Sequence, residues 1–310
     1  MTQESQAITV PKAHPNWENV STYLIVAACS IFFCSKGVFI KSAYELGADP
    51  IAVLGLRMAY ALPFFLLVAV WSSRGRSPLT LRHWLAMTWL GFVGYYLSAV
   101  VNFAGLQFIS VGLERVVLYT YPSLVLLGSA LFLGKRVPRR MLVAVLIAYL
   151  GIVVAFRGEA AGGGDPRSTL IGVGLVFTSA VTYAIFVIGS GKLIGEVGPT
   201  RFTSHVVGIS CVFVLMHFVI QRSVDGSVAI SPGVHSRAMV LAVFGTVVPS
   251  FLLGIGLKRA GAQRFAIIGT VGPLATIVLA WLVLGESLNG VQIAGFMLTM
   301  GGGLLVSLWK

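Results

Sequence analysis

The sequence predicts an all-α membrane protein of ten transmembrane helices, built as two inverted five-helix repeats. Three observations carry that prediction. Of 310 residues, 57% are hydrophobic and only 10% charged, at a mean hydropathy of +0.91, whereas a soluble domain is about a quarter charged. The apolar residues fall in runs of about twenty, the length that crosses about 30 Å of hydrocarbon at about 1.5 Å per residue. The chain also repeats itself at a fixed offset.

Taken in order, the first twenty residues are polar and mixed in sign, with Glu4, Lys12 and Glu18, and read as a cytoplasmic tail. The first apolar run, 22–40, ends in Lys36 and Lys41 with no small-residue cleavage site, so it is a retained helix and not a signal peptide. The second, 50–71, stops at the basic loop of Arg74 and Arg76. Spans 84–105 and 110–133 follow, and Lys135, Arg136, Arg139 and Arg140 separate them from 140–157. The Gly-rich stretch from Gly162 to Asp165 leads into 169–190. Lys192 and Arg201 precede 201–220, and the 221–236 loop precedes 237–257. Lys258, Arg259 and Arg264 mark the break before 264–284, and 289–309 closes the set. The resulting division is a tail over 1–20, one repeat over 21–157, a periplasmic linker over 158–168 and a second repeat over 169–310.

Basic residues orient the chain. With the N-terminus and every second loop on one side, that side holds 14 of the 22 Lys and Arg residues and the opposite side 6, with Arg57 and Arg115 inside spans. Cytoplasmic loops carry the excess, so both termini are expected in the cytoplasm. The net charge of +12 is spread over span ends and forms no single patch, which excludes a nucleic-acid partner and leaves the bilayer and its anionic headgroups. Cys29, Cys34 and Cys211 lie within apolar spans and read as small buried hydrophobes. No metal spacing or cofactor motif is present. The chain reads as a monomer whose partners are lipid and a small molecule.

The repeat is visible around two prolines. GLQFISVGLERVVLYTYPSLVLLGSALFLGKRV surrounds Pro122 and GLKRAGAQRFAIIGTVGPLATIVLAWLVLGESL surrounds Pro273. Gly105, Leu106, Pro122, Leu133, Gly134 and Gly151 align without a gap with Gly256, Leu257, Pro273, Leu284, Gly285 and Gly302, all at an offset of 151. Five spans per copy is an odd number, so the second copy enters the membrane from the opposite face. Inverted repeats of this kind build secondary transporters.

The mid-helix proline followed by an apolar stretch ending in Gly134-Lys135 or Gly285-Glu286, with a glycine-rich last helix in each half, resembles the drug/metabolite transporter superfamily in its ten-helix EamA-type branch. The family's Gly-Glu pair is typical of both halves. Here the first copy has Lys135, so any role for the motif carboxylate passes to Glu286 alone. Among known branches the chain looks most like bacterial amino-acid exporters, including those for aromatic amino acids and methionine. That likeness implies an inner-membrane exporter of amino acids and related metabolites working by alternating access. Other drugs or metabolites are the alternative substrates.

Ionisable residues at membrane depth are functional candidates by default. Arg57 and Glu114 lie at similar depth in their spans and are read as an ion pair, either a structural bridge or headgroup-snorkelling pair, or an extracellular gate or contact to a zwitterionic substrate; Arg115 adjoins them. His205 near the start of span 7 is a candidate proton carrier or a hydrogen-bonded packing residue. Lys36 and His217, near span ends, are expected to snorkel. Polar stripes outline a pocket: Tyr95, Ser98 and Asn102 share one face of span 3, Tyr119 precedes Pro122, Thr246 and Ser250 flank Pro249, Thr270 precedes Pro273, and span 6 adds Thr178, Thr182 and Tyr183. These residues suit a central, mostly uncharged pocket for a neutral or zwitterionic amphiphile.

A membrane-embedded enzyme is disfavoured, since HExxH is absent and no Asp lies at membrane depth. The GSGK at Gly189–Lys192 lacks the first P-loop glycine, so no nucleotide cradle exists. A passive channel is the rival from another class.

Overall fold

The computed structural model describes residues 17–134, 137–225, 230–269 and 271–308, and among them all regular structure is helical. In chain order the first half holds α1 (Trp17–Tyr44), α2 (Pro50–Ser73), α3 (Leu81–Gly91), a π-helical turn (Phe92–Leu97), α4 (Ser98–Gly105), α5 (Val111–Leu118), α6 (Tyr121–Leu133) and α7 (Arg139–Ala161). The second holds α8 (Pro166–Val197), α9 (Pro199–Asp225), α10 (Pro232–Ala242), a π-helical turn (Val243–Val247), α11 (Val248–Gly269), α12 (Val271–Leu284) and α13 (Gly290–Leu308). By length and composition eight helical stretches, from Val20–Tyr44 to Pro232–Leu253, can cross a membrane, and two shorter apolar helices, Val271–Leu284 and Gly290–Val306, follow. The chain is a multi-pass membrane protein.

Helix starts follow local chemistry. Asp49 caps α2 by accepting from the Ala52 amide at 2.8 Å, and Asp165 caps α8 by accepting from Ser168 at 2.8 Å. Pro50 and Pro166 stand in the first turns, where a missing N–H costs nothing. The motif glycines Gly134 and Gly285 end α6 and α12 in the left-handed region, at φ 64° and 66°, which L side chains rarely adopt.

The offset of 151 recurs in the backbone. The π turns begin at Phe92 and Val243, α3 and α10 at Leu81 and Pro232, and α7 and α13 at Arg139 and Gly290. Helix α2 packs on α9 and α7 on α13, each on the element at the same place in the other half, while α1 packs on α11 and α12, and α8 on α4 and α6. The α7–α13 contact is made of small residues: a Cβ on Gly295 would stand 2.4 Å from the Ala155 amide nitrogen, and one on Gly302 2.6 Å from the Ala144 carbonyl. Small residues at a crossing let two membrane helices approach. Large apolar side chains such as Leu67 and Trp71 on α2 and Leu131 on α6 are more than two-thirds exposed, as a lipid-facing surface requires.

Two span boundaries differ from expectation. The single span 110–133 is broken: α5 stops at Leu118 and α6 restarts at Tyr121, with Pro122 in its first turn. The break expected near residue 258 is bridged by α11, which runs on to Gly269. The first copy has Ser110 to cap its restart by accepting from the Leu113 amide at 3.2 Å. The equivalent position in the second copy is Gly261, which has no side chain with which to cap.

Candidate functional site

Helices α1, α2, α4, α5 and the two π turns bring charged and aromatic side chains together inside the bundle. Arg57, 8% exposed on α2, donates through Nε to Thr246 Oγ1 at 2.7 Å, and its guanidinium lies over the Phe103 ring at 5.6 Å. Thr246 in turn donates to the Leu241 carbonyl at 3.1 Å, five residues back. The hydroxyl thus satisfies a carbonyl in the stretch where the helix widens into its π turn. Tyr95 lies in the other π turn, 151 residues earlier. π turns inside α-helices are frequent at functional sites.

Glu114 does not take Arg57 as its partner. Its carboxylate, 0% exposed, accepts from both Nε and Nη2 of the adjacent Arg115 and from Asn102 Nδ2 at 2.9 Å. Arg57 belongs with Thr246 instead, and the ion pair expected from equal depth is replaced by a neighbour pair on α5. The cause is reach: an Arg side chain is long enough to fold back on a carboxylate one residue away when both are excluded from water.

The expectation of a mostly uncharged interior is also corrected. Lys36 is not at a helix end, because α1 continues to Tyr44. It sits against the second π turn, its Cβ 3.5 Å from where a Cβ on Gly245 would stand, next to Thr246 and Arg57. Lys41, not Lys36, serves the helix end, pairing with Glu286 Oε1 at 2.8 Å.

Beside the charged cluster runs an aromatic wall. Tyr95 meets Phe186 edge-on at 5.1 Å, Phe186 lies 5.9 Å from Tyr183, and Tyr183 meets Tyr121 at 5.5 Å. Tyr119 borders it at the α5–α6 break and packs on α13, where a Cβ on Gly303 would lie 2.9 Å from its ring. The hydroxyl stripe is mostly consumed by the backbone. Ser98 bonds Ser179 (Oγ to Oγ 2.9 Å, and to its carbonyl at 3.1 Å), Ser250 donates to the Thr246 carbonyl at 2.6 Å, and Thr178 and Thr182 donate within α8. Thr270 and Lys135 lie outside the described residues. His205 stands apart from this cluster: its Nδ1 bonds the Arg201 carbonyl at 2.7 Å and its ring meets Trp84 at 5.4 Å. His217 bonds the Tyr96 hydroxyl at 3.1 Å.

At the Lys41 end, a second polar group was not foreseen. Glu286 Oε2 accepts from the Val111 amide at 2.9 Å, at the start of α5. Glu159 accepts from the Ser110 amide at 2.8 Å, the Ser110 hydroxyl at 2.6 Å and Gln292 at 2.6 Å. Two carboxylates therefore hold one helix N-terminus, where anionic groups are favoured. Among the described residues no cluster of His, Cys, Asp and Glu has metal-binding geometry.

Comparison with known proteins adds four findings. The EamA-like transporter family model matches residues 20–157 and again 170–308. An uncharacterized transporter, YcbK of Bacillus subtilis (strain 168), is 31% identical over 273 residues, covering 86% of each chain. A probable amino-acid metabolite efflux pump of Escherichia coli (strain K12) is 25% identical over 265 residues, covering 82% of this chain and 84% of that protein. A solved crystal structure has the same fold, at a TM-score of 0.61 and 19% identity over 92% of this chain and 96% of its own.

Proposed function

This chain belongs to the EamA-like transporter family of the drug/metabolite transporter superfamily, and from that premise we propose that it exports amino acids and related small metabolites by alternating access. The carrying observation is the recurrence of two π turns at one offset, which places Tyr95 and Thr246 at equivalent points of the two halves, beside the buried Arg57. Each half supplies five spans when α3 joins α4, α5 joins α6, and α10 joins α11. An odd count turns the second half over relative to the first. Inverted halves of similar structure give inward-open and outward-open states of similar energy. The orientation proposed from the basic loops puts both termini in the cytoplasm of a bacterial cell.

The aromatic wall of Tyr95, Tyr121, Tyr183 and Phe186 offers apolar faces to a side chain, and the break between α5 and α6 adjoins it at Tyr121. Broken helices lining a cavity are where such carriers hold substrate. Relatives named as probable amino-acid metabolite efflux pumps support the substrate class. Purified protein in liposomes should give saturable flux of threonine, methionine or phenylalanine that is stimulated by substrate on the opposite side. Flux that rises linearly with concentration and shows no counter-stimulation would mean a pore.

A further inference from the structure

We propose that the cluster where α1 and α2 meet the second π turn recognises an organic anion, with Lys36 and the unpaired edge of Arg57 together holding its carboxylate, and that a substrate ammonium group is dispensable. The proposal rests on the reading of this cluster as the transport site.

Lys36 lies eight residues before the end of α1 at Tyr44, about 12 Å along the helix at about 1.5 Å per residue. Its neighbours place it in the cluster. Its Cβ is 3.5 Å from where a Cβ on Gly245 would stand, and the next residue in that π turn is Thr246, the acceptor for Arg57. At the next residue, a Cβ on Gly37 would lie 3.6 Å from Glu114 Oε2 and 3.7 Å from Arg115 Nη2. This part of α1 therefore passes between the Arg57–Thr246 contact and the Glu114–Arg115 pair. Cys34, Cys211 and Tyr95 are the other titratable groups around these cations.

Three cationic side chains face one internal carboxylate. That carboxylate is already saturated by Arg115 and Asn102. Among the described residues the Lys36 ammonium donates to no protein group, and Arg57, though 8% exposed, donates only through Nε. Both guanidinium Nη groups are left over. A cation in a mostly buried setting gains from a counter-ion, and among the described residues no protein carboxylate bonds to Lys36 or Arg57. A ligand anion supplies that counter-ion. The free donors are one ammonium and one edge of a guanidinium, which match the two oxygens of a carboxylate. A phosphate, with three oxygens and up to two charges, would also need Arg115, and Arg115 is committed to Glu114. For the same reason no anionic group of this cluster, among the described residues, is free to take a substrate ammonium. The aromatic wall beyond Tyr95 then receives the apolar remainder.

The test uses full-length protein in detergent and reads equilibrium binding by ligand-induced thermal shift. Two matched sets are compared: phenylalanine, 3-phenylpropionate and 2-phenylethylamine, and norleucine, hexanoate and pentylamine. The deaminated acids should bind as well as the amino acids, within about threefold, and the amines at least tenfold more weakly. Lys36→Met should weaken acids and amino acids tenfold or more, while Lys36→Arg stays within threefold of wild type. The wild-type ranking decides the matter even if a variant fails to fold. Amines binding as well as acids, Lys36→Met binding like wild type, phenyl phosphate binding in place of every carboxylate, or no binding in either set would each overturn the proposal. Lys36-dependent carboxylate binding without flux in liposomes would leave this site standing and remove the transport reading; flux of amines and acids alike would do the reverse.

Discussion

Glu114→Gln is the most informative single perturbation of the interior. Glutamine keeps the shape of the side chain and an oxygen for Asn102, but removes the charge that compensates Arg115. Glu114 is 0% and Arg115 7% exposed, so water cannot replace the lost partner. Breaking a buried pair on one side costs about 3–5 kcal/mol, because the surviving charge is stranded. Arg115→Met strands Glu114 with Asn102 alone and should cost a similar amount. The double variant strands nothing. Replacing both members of a buried pair by neutral groups of similar volume is often close to neutral, so the double variant should be more stable than either single one, with a coupling of at least about 2 kcal/mol in a double-mutant cycle. Reversible unfolding by SDS in mixed micelles, followed by tryptophan fluorescence, gives the four free energies. Losses that add within about 0.5 kcal/mol would refute the pairing. The cycle between Arg57→Gln and Glu114→Gln supplies the contrast, and it should be much nearer additive, because Arg57 is bonded to Thr246.

Three further outcomes are expected. Gly295→Ala should lose about 1–3 kcal/mol by overpacking α13 against α7, whereas Gly301→Ala, with nothing within 4 Å of its Cβ, should be tolerated; equal effects in the same unfolding assay would contradict the helix contact. Glu286→Ala should cost about 2 kcal/mol through the lost bond to the Val111 amide, and Lys41→Met less than about 1 kcal/mol, since that pair is partly exposed and the amide bond survives. Cysteine placed at Gly163 should react with an impermeant reagent added outside cells and cysteine at Val137 should not; the reverse pattern would invert the proposed topology.

The repeat could be read in the sequence because Gly134, Gly285, Pro122 and Pro273 each have a backbone job that few other residues do, and their spacing survives divergence elsewhere. The π turns left no such mark: one extra residue per turn changes hydrogen bonding without demanding any residue type, and Tyr95 and Thr246 were found only as parts of polar stripes. The hydroxyls of Ser98 and Ser250 looked available in sequence because their backbone and Ser179 partners depend on how the helices meet. Lys36 was misplaced for a more tractable reason. The apolar run alone ends the span at residue 40, whereas α1 continues to Tyr44, just before the left-handed turn at Gly47, and that extra turn carries Lys36 inward. The Glu114–Arg115 pair was hidden because adjacent helical residues normally point apart, which favoured a partner at equal depth on another helix. Ser110, Glu159 and the Glu286–Gln292 segment come from three separate stretches of chain and meet only when α5 docks between α7 and α13.

The central claim is that the chamber beside Tyr95 is the substrate pocket and opens to each side of the membrane in turn. It is tested most directly with Tyr95→Cys, in a background lacking Cys29, Cys34 and Cys211, reconstituted in liposomes with a small charged thiol reagent added to one face at a time. The reagent should reach position 95 from either face. Each modification should be slowed by any substrate that shows saturable flux, and locking one face shut by a cross-link should abolish labelling from that face alone. Labelling that is insensitive to transported substrate, or that proceeds from both faces after one has been locked, would contradict the account.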